Sequence, residues 1–162
     1  MSAALGSGDF LRALMRAGRH GEDRAALLAA AVATAGDDAP RGLARTWFSA
    51  STDEQVLILR TLAVLPQPER FTDIARDACR SSMTPLFEAV ALDNAYAAAW
   101  FDEHAFNQMV LKVLSLGCDL RRVAGLAGRV TPSLRRAVLD FHAERIAAGR
   151  AVPADIVLIL GR

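Results

Sequence analysis

The residues best equipped for chemistry lie in one stretch, Phe101-Asp102-Glu103-His104-Ala105-Phe106-Asn107-Gln108-Met109-Val110-Leu111-Lys112. It gathers an acidic pair, a histidine, two carboxamides and the only lysine of the chain. Metal ligation on a helix wants two strong ligands one turn apart. Glu103 and Asn107 have that spacing, but a carboxamide is a weak ligand for transition metals. His104 is followed one turn later by Gln108, and His20 and His142 stand alone in the sequence. No metal or other cofactor is expected. General acid–base catalysis would use His104 with Asp102 or Glu103, with Lys112 as anion anchor or nucleophile. Simpler local causes account for the charged residues: Asp102 caps a helix, Glu103 complements its dipole, and His104 is solvated. Those causes leave Asn107-Gln108 unexplained. Carboxamides in an apolar helix commonly bond the backbone of a neighbouring loop, and Asn94-Ala95-Tyr96 is the candidate. Glu88 falls opposite Leu86, Phe87 and Val90, so it is expected at solvent, or paired with Lys112 if a pocket covers that face.

Other chemistries lack their signatures. There is no glycine-rich phosphate loop, Gly-x-Ser-x-Gly elbow or His-Glu-x-x-His. Trp47, Trp100 and the remaining aromatics are too dispersed for a base-stacking platform. No nucleic-acid partner is expected.

The elements that must position these residues read as one helix after another. Asp102 and Gly117 bound the central helix, and Phe106, Met109, Val110, Val113, Leu114 and Leu116 share its apolar face. His104, Gln108 and Lys112 form a row of four-residue steps opposite, and Asn107 sits on the border. Ser7-Gly8-Asp9 resembles a cap before a short helix with Phe10, Leu11, Leu14 and Met15. Glu22 to Ala35 is an alanine-rich helix, and Pro40 opens another that ends near Phe48. Ser51 with Glu54, or Thr52 with Gln55, offers a capping box. The helix that follows carries Val56, Leu57, Leu59, Leu62 and Ala63 on or near one face and ends at Leu65-Pro66. Pro68 restarts a helix with Phe71, Ile74, Ala75 and Ala78 inward, and Thr84-Pro85 starts another. Asp119 caps a short turn, Thr131-Pro132 opens a long helix that stops at Gly149, and Ile156 to Leu160 reads equally as strand or helix. Ten- to seventeen-residue helices with short loops predict an all-α chain, an antiparallel helical bundle or short α-α superhelix of about seven to nine helices. The expected organisation is a single helical domain over 1–162, with residues 1–50 a simpler N-terminal arm.

Composition sets the outer bounds. At 162 residues the chain is long enough to bury about 70% of its unfolded surface. It is 52% hydrophobic and 23% charged, as expected for a filled core. A net charge of +1 provides no global field for nucleic acid or anionic membrane. Cys79 and Cys118 make neither a disulfide framework nor a zinc pattern, which suits a reducing compartment. No run is long enough to span a bilayer. Ala25 to Ala35 imitates a signal peptide, but Glu22 and Asp23 precede it, so a cytoplasmic location is expected.

Several phrases together resemble a known family. They are Leu65-Pro66-Gln67-Pro68-Glu69-Arg70-Phe71, Ala78-Cys79-Arg80, Pro85-Leu86-Phe87-Glu88-Ala89-Val90-Ala91, Asn94-Ala95-Tyr96 and Phe106-Asn107-Gln108-Met109-Val110-Leu111-Lys112. Gly125-Leu126, Thr131-Pro132 and Ala148-Gly149-Arg150-Ala151-Val152-Pro153 continue them. Over about residues 52–156 the chain resembles the EboA-domain family. The resemblance implies an all-α protein encoded beside several enzymes, including a prenyltransferase-like membrane protein, a TatD-like metal hydrolase and TIM-barrel proteins. It also implies a part in moving or processing a secondary metabolite, notably the precursor of the cyanobacterial sunscreen scytonemin. It carries over no catalytic residue, only the pattern positions Glu88, Asn94, Tyr96, Asn107, Gln108 and Lys112. Asn94-Ala95-Tyr96-Ala97 replaces the usual Asn-Pro-Tyr-Pro, and losing both prolines is expected to loosen that loop.

These observations favour a non-enzymatic helical module that binds a small-molecule metabolite or a partner enzyme encoded in the same cluster. Its candidate surface comprises Glu88, Asn94, Tyr96, His104, Asn107, Gln108 and Lys112. One alternative is a hydrolase or isomerase that uses Glu88, His104 and Lys112, which requires those groups to converge on a concave site. Another is a structural protein–protein adaptor, which predicts an exposed apolar patch without a polar pocket.

Overall fold

A computed structural model describes residues 12–14, 16 and 23–161 of the protein. The expected Ser7-Gly8-Asp9 cap, Phe10, Leu11, Met15 and Glu22 lie outside the described residues. Leu14 is helical and buried. Among the described residues the regular structure is entirely helical, with nine α-helices and short 3₁₀ turns. The chain divides into two compact units, the first ending at Val90 and the second beginning at Ala91.

In the first unit α1 (Arg24–Ala35) packs on α2 (Ala39–Ser49) and on α3 (Thr52–Thr61). Each start has a local cause. Asp23 caps α1, its carboxylate accepting from the N–H groups of Ala25 and Ala26. Ser51 and Glu54 form the expected capping box on α3, each side chain satisfying the other's backbone N–H. Gln55 donates to the Trp47 carbonyl at 2.9 Å instead of forming a box with Thr52. The inward face of α3 differs from the sequence expectation: Ile58, Leu59 and Leu62 are buried, and Ala63 is exposed. The α-helix stops at Thr61 and continues as a 3₁₀ turn over Leu62–Val64. Three residues per turn rotate the chain faster than an α-helical projection assumes.

Pro68 opens a 3₁₀ turn (Pro68–Phe71) that leads into α4 (Thr72–Arg80), where Ile74, Ala75 and Ala78 are buried as expected. Arg70 reaches back to the carbonyls of Gly36 and Asp37 at 3.1 and 2.8 Å, tying this turn to the end of α1. Helix α5 (Thr84–Ala91) follows, with Leu86, Phe87 and Val90 buried.

The second unit holds α6 (Tyr96–Trp100), α7 (Glu103–Ser115), α8 (Pro132–Ala147) and α9 (Val157–Leu160). Helix α7 packs against α8, and α8 against α9. Asp102 caps α7 by accepting the Ala105 N–H at 2.7 Å, and the Thr131 hydroxyl caps α8 by accepting the Leu134 N–H. Both long helices end in the same six-residue geometry. Past α7, the N–H of Cys118 donates to the Val113 carbonyl and that of Gly117 to Leu114. Past α8, the N–H of Arg150 donates to Arg145 and that of Gly149 to Ile146. Gly117 and Gly149 sit at φ +69° and +64°, the left-handed conformation this closure requires.

That closure explains one departure from the sequence expectation. The sequence pattern puts Leu116 on the apolar face of α7, but it is 50% exposed. It is the residue after the last full helical turn, where the chain is already turning toward Gly117. The open choice at Ile156–Leu160 resolves as a helical turn, α9, with Ile156 and Ile159 buried.

Candidate functional site

The expected site residues fall into three groups. Asn94, Tyr96 and Asn107 are buried, His104 and Gln108 are exposed, and Lys112 is half-buried on α7. Glu88 is half-buried and belongs to the first unit.

The buried group organises the corner between α6 and α7. The Asn94 carboxamide oxygen accepts the Tyr96 N–H at 3.0 Å, a turn that starts α6. Tyr96 is fully buried and meets Phe101 edge-on, with ring centroids 6.5 Å apart. Asp93, at φ +54°, receives two hydrogen bonds from the Arg122 guanidinium and donates its own N–H to the Arg122 carbonyl at 2.7 Å. These ties hold the 93–96 loop in place.

Arg129 closes the same corner. Its guanidinium donates to the carbonyls of Ala98, Phe101 and Asp102 and lies over the Phe106 ring at 4.6 Å. The carbonyls left unpaired at the end of a helix need donors, and a forked cation satisfies several at once. Nothing in the local sequence singled out Arg129 among eighteen arginines.

Asn107 points across to α8, where its Nδ2 donates to the Ser133 hydroxyl at 3.4 Å, while its Oδ1 is buried without a donor. The sequence suggested the 94–96 loop as its partner, whereas the observed hydrogen bond reaches the first turn of α8. One turn earlier, Glu103 accepts the Thr131 hydroxyl at 2.6 Å, a second link between these helices. His104 and Gln108 remain on the outer side of α7.

A concave surface opens at the other end of the unit. It is a cleft of about 600 Å³ bounded by residues 114–119, Arg121, Arg145 and the 151–155 segment. The closed end of α7, Arg145 from the last turn of α8 and the segment that follows therefore share one cavity. Arg145 donates from Nε and Nη2 to the Ala151 carbonyl at 2.9 and 2.7 Å, clamping the 151–155 segment back onto α8. Asp155 accepts the Leu120 N–H at 2.6 Å. Asp119 is held by Arg121 through both carboxylate oxygens and accepts the Arg121 N–H at 2.9 Å. The Arg121 side-chain hydrogen bonds, then its backbone N–H, hold the Asp119 carboxyl below its ordinary range. The same pairing raises Arg121. In the sequence Asp119 reads only as a turn cap, and Arg145 carries no local signal.

The family model described as metabolite traffic protein EboA matches residues 20–161. The chain belongs to the EboA family. Comparison with curated proteins and with solved structures finds no match. The EboA match reaches into both units and takes in every candidate residue named above. Among the described residues no helix is long and apolar enough to cross a membrane. Among them, too, no three His, Cys, Asp or Glu side chains gather as a metal site.

Proposed function

We propose that this EboA-family chain is a non-enzymatic binding module in the traffic or processing of a secondary metabolite, with the 114–121/145–155 cleft as its small-molecule site. The cleft carries the reading. It is concave, combines apolar wall residues with charged ones, and lies where two helices and a clamped segment meet. His104 and Gln108, exposed one turn apart on α7, are the members of the original candidate set best placed to meet a partner protein. Asn94 and Tyr96 serve by holding the α6–α7 corner, and Asn107 by linking α7 to α8. An enzyme that uses His104 and Lys112 is disfavoured by helix geometry, because eight residues separate them by about 12 Å along the axis.

An adaptor role draws support from a different surface. Leu139 and Ile146 share a face of α8 and are 50% and 61% exposed.

The discriminating experiment is thermal unfolding of the purified protein against aromatic metabolites, prenyl diphosphates and divalent metals. A ligand class that binds the native state should raise Tm by a few degrees at concentrations well above its Kd. The shift should survive in Lys112→Ala and disappear in Leu116→Asp, which alters the cleft wall at an exposed position. No shift with any class would remove the small-molecule reading and leave the protein partner.

A further inference from the structure

The charged groups of the cleft are unequal in what they already hold. Asp119 and Arg121 satisfy each other, and Asp155 receives the Leu120 N–H. Arg145 is different. It is half-buried, its hydrogen bonds go to the neutral Ala151 carbonyl, and among the described residues no carboxylate pairs with it. Its guanidinium carbon also lies 5.7 Å from the centre of the Phe141 ring. A guanidinium has five N–H donors in a planar fork. Two are spent on Ala151, so the rest remain on the wall of the cleft. Arg145 is thus the cation of the cleft whose hydrogen bonds reach no carboxylate, and a partly desolvated cation in that state favours an anionic partner.

The negative ends of two helices would ordinarily repel an anion here. Both ends are closed internally, because the carbonyls of Val113, Leu114, Arg145 and Ile146 already accept the backbone bonds of the glycine turns. Apolar wall comes from Leu114, Leu116, Val152 and Pro153.

We propose that the cleft recognises a small amphipathic molecule whose oxyanion head, a carboxylate or a phosphate, sits on the free edge of Arg145 while its apolar body lies against Leu116, Val152 and Pro153. Arg145 then has two tasks. It holds the 151–155 segment, and it supplies the charge-assisted hydrogen bonds that orient the ligand. This assignment deepens the binding reading above and rests on it.

The test is an NMR titration of the full chain with three probes of one shape: 4-phenylbutyrate, phenethyl phosphate, and the neutral 4-phenylbutyramide. Saturable amide shifts at 114–121 and 151–155 are expected with the two oxyanions, with the amide at least about tenfold weaker. The tighter of the two oxyanions identifies the head group. Arg145→Gln should cost about tenfold or more in oxyanion affinity. Because that change also releases Ala151, Ser115→Asp with Ser115→Asn as control isolates charge at an exposed position on the cleft wall. The Asp variant should weaken both oxyanions several-fold relative to the Asn variant and leave the amide unchanged. If the amide binds these residues as tightly as the acid, the oxyanion assignment fails and the cleft stands as a binding site. If none of the probes shifts these residues, both fail.

Discussion

Asn107 and Ser133 meet across the α7–α8 contact through a single 3.4 Å hydrogen bond, and the second polar atom of the Asn107 carboxamide is buried with no donor facing it. A long bond contributes little, while an unmet buried carbonyl costs about 1–3 kcal/mol. Asn107→Leu keeps the volume and removes the unmet group. It should therefore unfold in urea within about 1 kcal/mol of the parent, or later. Asn107→Ala removes the volume as well and should lose about 1–3 kcal/mol. A Leu variant as damaged as the Ala variant would show that the carbonyl is satisfied by a buried water.

Arg129 makes the opposite case, since every bond it forms is to a carbonyl with a structural need. Arg129→Ala leaves the Ala98, Phe101 and Asp102 carbonyls without this donor and uncovers the Phe106 ring. The expected loss is about 2–4 kcal/mol, from hydrogen bonds to a charged group plus the ring contact. Arg129→Lys should recover less than half of it, because an ammonium cannot span the three acceptors in one plane. Chemical denaturation of the two variants measures both numbers.

How much of this was legible in the sequence depends on how far apart the interacting residues are. Asp102, Ser51 and Thr131 act on atoms a few residues away, so their cap positions were readable from residue type and spacing. Gly117 and Gly149 were readable as stops for the same reason. The partner of Asn107 lies 26 residues away, that of Asp155 is 35 away, and the Ala98 carbonyl is 31 residues from Arg129. Such pairs follow from how separate elements pack, which the helical period of any one of them does not encode. The cleft was missed for that reason: its walls are two helix ends and a loop, none unusual in composition. Ala63 and Leu116 were misplaced for a simpler cause, the projection of an α-helical face past the last α-helical residue.

Gly125 tests packing at close range. It lies at φ +72°, and a Cβ there would come within 2.6 Å of the Ala98 Cβ. Gly125→Ala combines left-handed strain of about 1–2 kcal/mol with that collision, so a total loss of about 2–4 kcal/mol is expected. Ala98→Gly should cost about 1 kcal/mol alone, through the loss of an alanine from α6. In the double variant the collision is gone, while the backbone strain at position 125 and the helix cost of Ala98→Gly persist. A double-mutant cycle on unfolding free energies should thus show a favourable coupling of about 1 kcal/mol or more. Additive losses would mean that the strain at Gly125 alone accounts for the single variant.

The Asp119–Arg121 pair predicts how the cleft responds to acid. Asp119 has its folded-state pKa depressed below 3.8, chiefly by the Arg121 side-chain hydrogen bonds and then by the Arg121 N–H. A depressed carboxyl binds its proton more readily in the unfolded chain, so stability falls as pH is lowered. The contribution is complete above the ordinary carboxyl value near 3.8 and disappears as pH drops through the lower folded value. Raising the pH from there to neutrality changes nothing at this pair. In Asp119→Asn the amide can still cap the Arg121 N–H but no longer titrates. Its unfolding midpoint should therefore vary less with pH below 3.8 than that of the parent, and the two curves should run parallel above it. Curves that diverge only near neutral pH would locate the titrating group elsewhere. Protonated Asp119 also frees Arg121 to face the cleft, so an oxyanion probe that remains ionised in this range, such as phenethyl phosphate, should bind more tightly as pH falls through the folded value of Asp119.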